Sequence, residues 1–404
     1  MAQHDRNGRI VYVIGAGFSK PAGFPLQAEI LERVRSFTYL DLADDVPAQA
    51  SSDNLQTQKF LGERFGSDQE PTLEDVFTLL DQLIAGKVAL PGYSVQQLHE
   101  VRDVLDRAIL LPFHQASASV RDTGAEFYRS VAAFMLRSAL SGAPVDGTVS
   151  IVSLNWDSLM EDSLVWCVRE LAGRDLAGVE YCCPLSSLTG KAWSYGPPSS
   201  TSGSGTIKVA KLHGSTNWLS CPMCKRLFTG LGSDQDVWRL YVRPRKCPHC
   251  MKLWLDPSVV RGEAPELEPF FVTPTFAKVF DNPHIQLIWH TAFVELSEAD
   301  EVVFIGYSLP DADYHVRTLL RRAIRRDARI TVVLTQGDET RRNTPKNLRR
   351  FLPAERYRVF FGSDRPIFEL SGVEGYFNRV MGSASLRQRL AGMRRTLRGR
   401  RSRQ

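Results

Sequence analysis

Short runs of β-branched and aromatic residues recur along the chain: VYVI after Ile10, SIVS at 150–153, IKVAKL at 207–212, EVVFIG at 301–306, RITVVL at 329–334 and YRVFF at 357–361. Each is short and nearly continuously apolar, the pattern of a strand covered on both faces. Several are followed by segments with apolar residues at helical spacing, such as Asp157 to Leu171 and Asp313 to Arg326. This alternation predicts an α/β fold, a Rossmann-like parallel sheet with helices on both faces. Residues 26–141 break the rhythm. They carry helical periodicity, in TLEDVFTLLDQL from Thr72, where Asp75 completes a capping-box spacing, in Val95 to Leu111 and in Ala125 to Leu140. They read as a helical insertion after the first strand. Pro184 to Thr206, dense in Ser, Gly and Pro, reads as a flexible loop.

The residues just past each strand carry the chemistry. Gly15-Ala16-Gly17 follows the first run, and Leu154-Asn155-Trp156-Asp157 the second. His213-Gly214-Ser215, Gly306-Tyr307-Ser308 and Thr335-Gln336-Gly337-Asp338 follow the third, fourth and fifth. Small, polar and ionisable residues thus gather at the carboxyl edge of the expected sheet, where open α/β folds bind ligands. A strand, then glycines, then Ser19 lets backbone N–H groups approach a phosphate closely, although Lys20 stands where a dinucleotide fingerprint has its third glycine. Each polar residue has a plainer alternative: Asn155 and Asp157 can cap the following helix, and His213 can be a satisfied structural histidine.

Cysteine spacing adds a metal. Cys221-Pro-Met-Cys224 and Cys247-Pro-His-Cys250 are two tight knuckles, the pattern of a closed tetrahedral structural zinc site in a small module. Cys167, Cys182 and Cys183 read as ordinary thiols. An odd count of seven argues against a disulfide framework.

Composition changes the picture in one respect. The net charge of +5 resides in the tail from Leu386 onward, which holds eight arginines and no acid, so the remainder sums to −3 (5 − 8). Such a tail reads as a solvated, partly disordered extension, or as a contact for nucleic acid or an acidic partner. No apolar stretch long enough for a membrane span or a signal-peptide core is evident, which suits a cytoplasmic protein with no membrane partner.

The motifs GAGFSKPAGFP, SLNWD, LHGS, the paired CPxC knuckles and GYSLPDAD occur in the order found in sirtuin-like enzymes of the silent information regulator family. The chain resembles that family from about residue 9 to 340, with the helical region as an insertion. The resemblance implies a Rossmann-type domain with a zinc lobe, NAD+ as substrate, structural Zn2+, and cleavage of the nicotinamide–ribose bond. It implies that Gly15, Ala16, Gly17 and Ser19 lie against the pyrophosphate and ribose. Asn155 and Asp157 match the family's T-Q-N-I-D motif at the nicotinamide and ribose pocket. His213 matches its catalytic histidine, and Gly306 and Ser308 its G-T-S segment. Leu154 replaces the motif's glutamine, and Gly23-Phe24-Pro25-Leu26-Gln27-Ala28 lacks the acid and arginine of the family's G-I-P-D-F-R. VTPTFAKVFDNP at 272–283 differs from the peptide-pairing segment of deacylating members. These departures resemble a bacterial branch that hydrolyses NAD+ in anti-phage defence.

The sequence therefore predicts a first strand and glycine loop at 1–25, the helical insertion at 26–141, further Rossmann-like segments at 142–212 and 257–385, a zinc module at 213–256 and a basic tail at 386–404. In the expected chemistry Asn155 holds a water, Asp157 accepts from the nicotinamide amide and His213 acts as base or orients a hydroxyl. An NAD+ hydrolase fits best. The alternatives are an NAD-dependent deacylase or ADP-ribosyltransferase, and a non-catalytic nucleotide-binding sensor or assembly subunit. A homo-oligomer and a companion defence protein such as an ATPase or nuclease are expected partners.

Overall fold

The structure of the chain, a computed structural model, describes residues 8–36, 48–66, 71–123, 125–140, 149–172, 179–187, 207–229, 245–254, 264–273, 282–338 and 352–401. Among them lies a seven-stranded parallel sheet. Its central strand is β1 (Ile10–Ile14), flanked on one side by β2 (Val149–Ser153), then β5 (Ile207–Lys211) and the two-residue β3 (Val179–Glu180). On the other side stand β9 (Glu301–Ile305), β10 (Arg329–Val333) and β11 (Pro366–Glu369). Four consecutive residues are buried in each of β1, β2, β9 and β10. Side chains alternate between faces, so helices cover both faces, as the continuous apolar runs require.

Register aligns the strand ends. Ile14 pairs with Ser153 and with Ile305, Ser153 with Lys211, Ile305 with Val333, and Val333 with Glu369. One row thus crosses six strands at their carboxyl ends. After β1 the chain builds outward through β2 and β5, then returns to place β9 on β1's other flank, so β1 stands at the reversal of strand order. Such reversals are where open sheets leave a crevice.

Between β1 and β2 the chain is helical: α1 (Ala16–Ser19), α2 (Gln27–Ser36), α3 (Ala48–Phe65), α4 (Leu73–Gly86), α5 (Val95–Thr123) and α6 (Ala125–Leu140). The capping box at Thr72 and Asp75 is present in both directions. Buried residues of α2 to α6, among them Phe60, Phe77, Leu105 and Leu136, join one core with β1 and β2. A second sheet orders β4 (Ser186–Ser187), β7 (Leu227–Thr229), β6 (Gly214–Ser220) and β8 (Glu268–Phe271). Most of the loop expected over 184–206 lies outside the described residues, and Ser186 and Ser187 belong to β4.

Two expectations are corrected. YRVFF at 357–361 is the end of a helix, Pro353–Phe361, and the edge strand is PIFE in β11. Pro353 opens the helix, Gly362 ends it at φ 99°, and the helical spacing puts Tyr357 and Phe361 together against Phe304 while leaving Val359 72% exposed. Nor is the start of the basic tail a solvated extension. Leu386–Arg401 is helical, and Leu386, Leu390 and Met393 are buried in the main core. Arg394 donates to the Glu170 carbonyl at 2.8 Å, and Arg389 to the Met381 carbonyl at 2.8 Å. Spaced by four and three residues, the three apolar side chains form one stripe that docks the helix on α6 and on α7 (Leu159–Ala172). No helix among the described residues is long and apolar enough to cross a membrane.

Candidate functional site

At the carboxyl edge the two loops flanking β1 and β9 meet backbone to backbone. Gly15 N–H donates to the Ile305 carbonyl at 3.0 Å, and Gly17 N–H to the Gly306 carbonyl at 2.8 Å. A Cβ on Gly15 would lie 2.7 Å from the Gly306 oxygen, and one on Gly17 2.8 Å from the Gly306 Cα. Gly306 itself adopts φ +63°, and a Cβ there would come within 2.1 Å of the Phe18 nitrogen. The space that these glycines leave is therefore filled by the facing loop. Ala16 starts the four-residue α1, and Ser308 is exposed, its carbonyl accepting from Arg356 Nη1 at 3.4 Å. Lys20, at the place of the third glycine, grips Glu29 at 2.5 and 2.6 Å. Although burial opposes it, the Lys20 bond and the Leu26 N–H hold the Glu29 carboxyl below its ordinary range.

On the other flank of β1 the row ends in buried polar side chains. Asn155 and His213 each stand two residues past a paired position, Ser153 opposite Lys211, so the register brings them to the same level beyond adjacent strands. Asn155 Nδ2 donates to Ser19 Oγ at 3.2 Å, tying the loop after β2 to α1, and both residues are buried. Asn155 Oδ1 is buried with no protein partner. A buried amide oxygen without a donor is costly, so the position favours a ligand or water that supplies one. His213 is 8% exposed, and its carbonyl accepts from Val272 N–H at 2.8 Å. Asp157 Oδ1 accepts the N–H of Leu159 at 3.1 Å, so the capping geometry open to both acids and amides of this turn is taken by Asp157, while the Asn155 side chain goes to Ser19. Tyr128, from α6, donates its hydroxyl to the Phe18 carbonyl at 3.0 Å. Burial, then the charge of Asp157, push this phenol up and keep it a neutral donor.

Three contributors escape a reading of local spacing. Trp156 packs against Phe271 and Phe113, with ring centroids 5.1 and 6.0 Å away, and its carbonyl accepts from Thr216 N–H at 2.8 Å. Asn217 lies where the β6 to β8 register shifts, fully buried, with neither side-chain polar atom partnered. Bulges of this kind often border sites. Glu74, from α4, accepts from Gln27 Nε2. Burial pushes its carboxyl up, and the charge of Asp313, beyond β9, adds to the rise. An acid is thus supplied in space next to the 23–28 segment that lacks one in sequence. Its only signal in the sequence is the cap at Thr72, which says nothing of Gln27.

The four knuckle cysteines come together as the spacing predicts. Cys221 Sγ lies 3.7 Å from Cys250 Sγ and Cys224 Sγ 3.8 Å from Cys247 Sγ, and all four sulfurs fall within 4.8 Å of one another. Tetrahedral zinc with Zn–S bonds of about 2.3 Å has S···S edges of about 3.8 Å, so the cluster fits one such ion with no position left open. Cys224 N–H and Cys250 N–H point at the Cys221 and Cys247 sulfurs, at 3.4 and 3.5 Å, which favours thiolates. Leu219, Phe228, Ala264 and Leu267 pack around the cluster as a core of its own. Cys167, Cys182 and Cys183 are free and buried, and burial pushes Cys167 and Cys183 up to about 12, so they are inert thiols.

No family model and no curated protein matches the chain. Among solved structures it is similar to a Sir2 homologue in complex with NAD, at 15% identity and a TM-score of 0.42, over 95% of this chain and 90% of that one. It is also similar to Sir2Tm bound to a propionylated peptide, at 14% identity and a TM-score of 0.38, over 92% of each chain.

Proposed function

We propose that this chain is a sirtuin-like NAD+ hydrolase that breaks the bond between nicotinamide and ribose, giving nicotinamide and ADP-ribose. One observation carries the reading. A single register row delivers Asn155 and His213 to one level beside the glycine loop, joined to it through Ser19, with the Asn155 amide oxygen buried and unpartnered. Cleavage builds positive charge at the anomeric carbon while neutral nicotinamide leaves. In this reading Asn155 Oδ1 accepts a hydrogen from the attacking water, and His213 takes up its proton or orients a ribose hydroxyl. The turn from Gly15 through Ala16 and Gly17 to Ser19 is the pyrophosphate side of this reading, with Gly306 and Ser308 beyond it. The Gly15 and Gly17 N–H groups are already donated to Ile305 and Gly306, which leaves Ser19 and the Ala16 backbone to face the ligand. Asp157, whose Oδ1 accepts the Leu159 N–H, shapes the turn, and in this reading its carboxylate meets the nicotinamide amide.

Incubating the purified chain with NAD+, with and without an acetylated peptide, tests this. Release of nicotinamide and ADP-ribose without peptide supports hydrolysis, and release that needs peptide supports deacylation. Binding without turnover supports a nucleotide sensor. The resemblance of the motifs supports a regulated cytoplasmic effector of anti-phage defence, working as an oligomer or with a companion protein. Such a hydrolase must be silent until triggered, so the assay belongs in conditions where assembly is promoted.

A further inference from the structure

Behind the site, Lys211 and Glu161 form an ion pair at 2.5 Å, with side chains 0% and 1% exposed. Lys211 Nζ also donates to the Asp157 carbonyl at 2.6 Å. We propose that Lys211 is a positioning residue: its ammonium, held by Glu161, fixes the turn that carries Asn155, Trp156 and Asp157. This rests on the reading of Asn155 as part of the NAD+ site.

Three observations support the assignment. Lys211 ends β5 directly opposite Ser153, the last residue of β2, so its side chain starts from the rigid sheet two residues short of Asn155. The Asp157 carbonyl lies just outside α7, whose first helical bond runs from Asp162 N–H to the Ser158 carbonyl, so Lys211 satisfies a backbone group at the junction of turn and helix. Glu161 lies in the first turn of α7, where a negative charge is favoured, and it draws the ammonium to that junction. The neighbouring Trp156 carbonyl is held by Thr216 N–H at 2.8 Å and by Ser215 Oγ and Thr216 Oγ1 at 3.1 Å. Successive carbonyls of one turn are therefore clamped by β5 and by β6. Stability alone is a poor account of the pair. Removing two charges from water offsets their attraction, and apolar replacements of similar volume are often neutral or stabilising.

The test is the double variant Lys211→Met/Glu161→Leu, beside the single variant Glu161→Gln, in the full chain. Amide hydrogen exchange needs no NAD+. The double variant should melt at or above the parental temperature, yet exchange at least 10-fold faster over residues 155–159, with β1 unchanged. Its NAD+ turnover should fall at least 10-fold in kcat. Glu161→Gln keeps an acceptor for Lys211 and should retain parental exchange over 155–159, whatever its melting temperature. Parental exchange in the turn of the double variant, a uniform rise across β1 and β2, or its failure to fold would each overturn the proposal. Absence of NAD+ cleavage by the parent would instead overturn the proposed reaction and leave the exchange result standing.

Discussion

The two flanks of β1 handle the carboxyl edge in opposite ways. Toward β9 the loops close on each other, glycine against glycine, with approaches that no Cβ could survive. Toward β2 and β5 the edge ends in Ser19, Asn155 and His213, buried polar groups with hydrogen-bonding capacity to spare at Asn155. The difference teaches that the glycines of a nucleotide-like turn can be demanded by the packing of two loops. In the proposed reading, chemistry then falls to the polar flank. Substitutions should accordingly separate fold from function on either side of one strand.

The largest effect is expected at Gly306. Its Cβ would overlap the backbone of Gly17 and Phe18 at a positive φ, so Gly306→Ala should yield little folded protein, a loss above about 4 kcal/mol. A cooperative melt close to the parental one would break the comparison. The zinc cluster should behave like the closed flank. Cys221→Ser, or a strong chelator, should unfold the knuckle module and release one zinc per chain, read by metal analysis.

On the polar flank the effect should move to turnover. Asn155→Ala and His213→Ala should each lower kcat about 100-fold or more. Loss of the Asn155 bond to Ser19 is worth about 1 kcal/mol, so its melting temperature should drop by less than about 4 °C. A collapse of folding with no change in turnover per folded molecule would invert the roles of the flanks. Truncation at the C-terminal helix is intermediate. Deleting 386–404 removes three buried apolar side chains, a gross loss of about 1.5–3 kcal/mol each that is largely offset by no longer ordering the helix, whereas deleting 397–404 should leave the melt intact. Equal melts for the two truncations would show that the docked stripe contributes nothing.

The smallest effect concerns Glu74. Its carboxyl is raised in the folded chain, so its stabilising contribution is complete below the ordinary value of 4.5 and is lost as pH rises through the folded value. Above 4.5 the parent loses that contribution progressively, because ionising this half-buried acid is disfavoured in the folded chain. Glu74→Gln, always neutral, should therefore melt higher at pH 7 by about 1–3 °C, and the gap should close below pH 4.5. A gap independent of pH would assign Gln27 and Glu74 to simple packing.

Much of the fold was legible because β1, β2, β5, β9 and β10 are short, mostly apolar runs soon followed by glycine or polar residues. YRVFF misled because a five-residue apolar run suits strand and helix alike, and here the flanking Pro353 and Gly362 decide. The tail misled in the opposite way. Leu386, Leu390 and Met393 already stood at helical spacing, but arginines outweighed them in composition. Strand β6, GSTNWLS, has no alternation to read, since all seven residues are buried. Glu74 and Lys211 act through partners 47 and 50 positions away, at Gln27 and Glu161, and spacing along a chain carries no such contact.

The parallel pairing of β1 with β9 has a consequence for the order of folding. Arg9 and Asp300, bonded at the start of that pair, are 291 positions apart, whereas the cysteines that meet as Cys221 and Cys250 are 29 apart. Closing the longer loop has the larger entropic cost, and such distant pairings form late. A transient species with its knuckles formed and β9 still unpaired would capture metal while its glycine turn lacked the loop that shapes it. In a refolding time course, zinc uptake should precede amide protection at Gly15 and Gly17, whose N–H groups bond to the loop after β9.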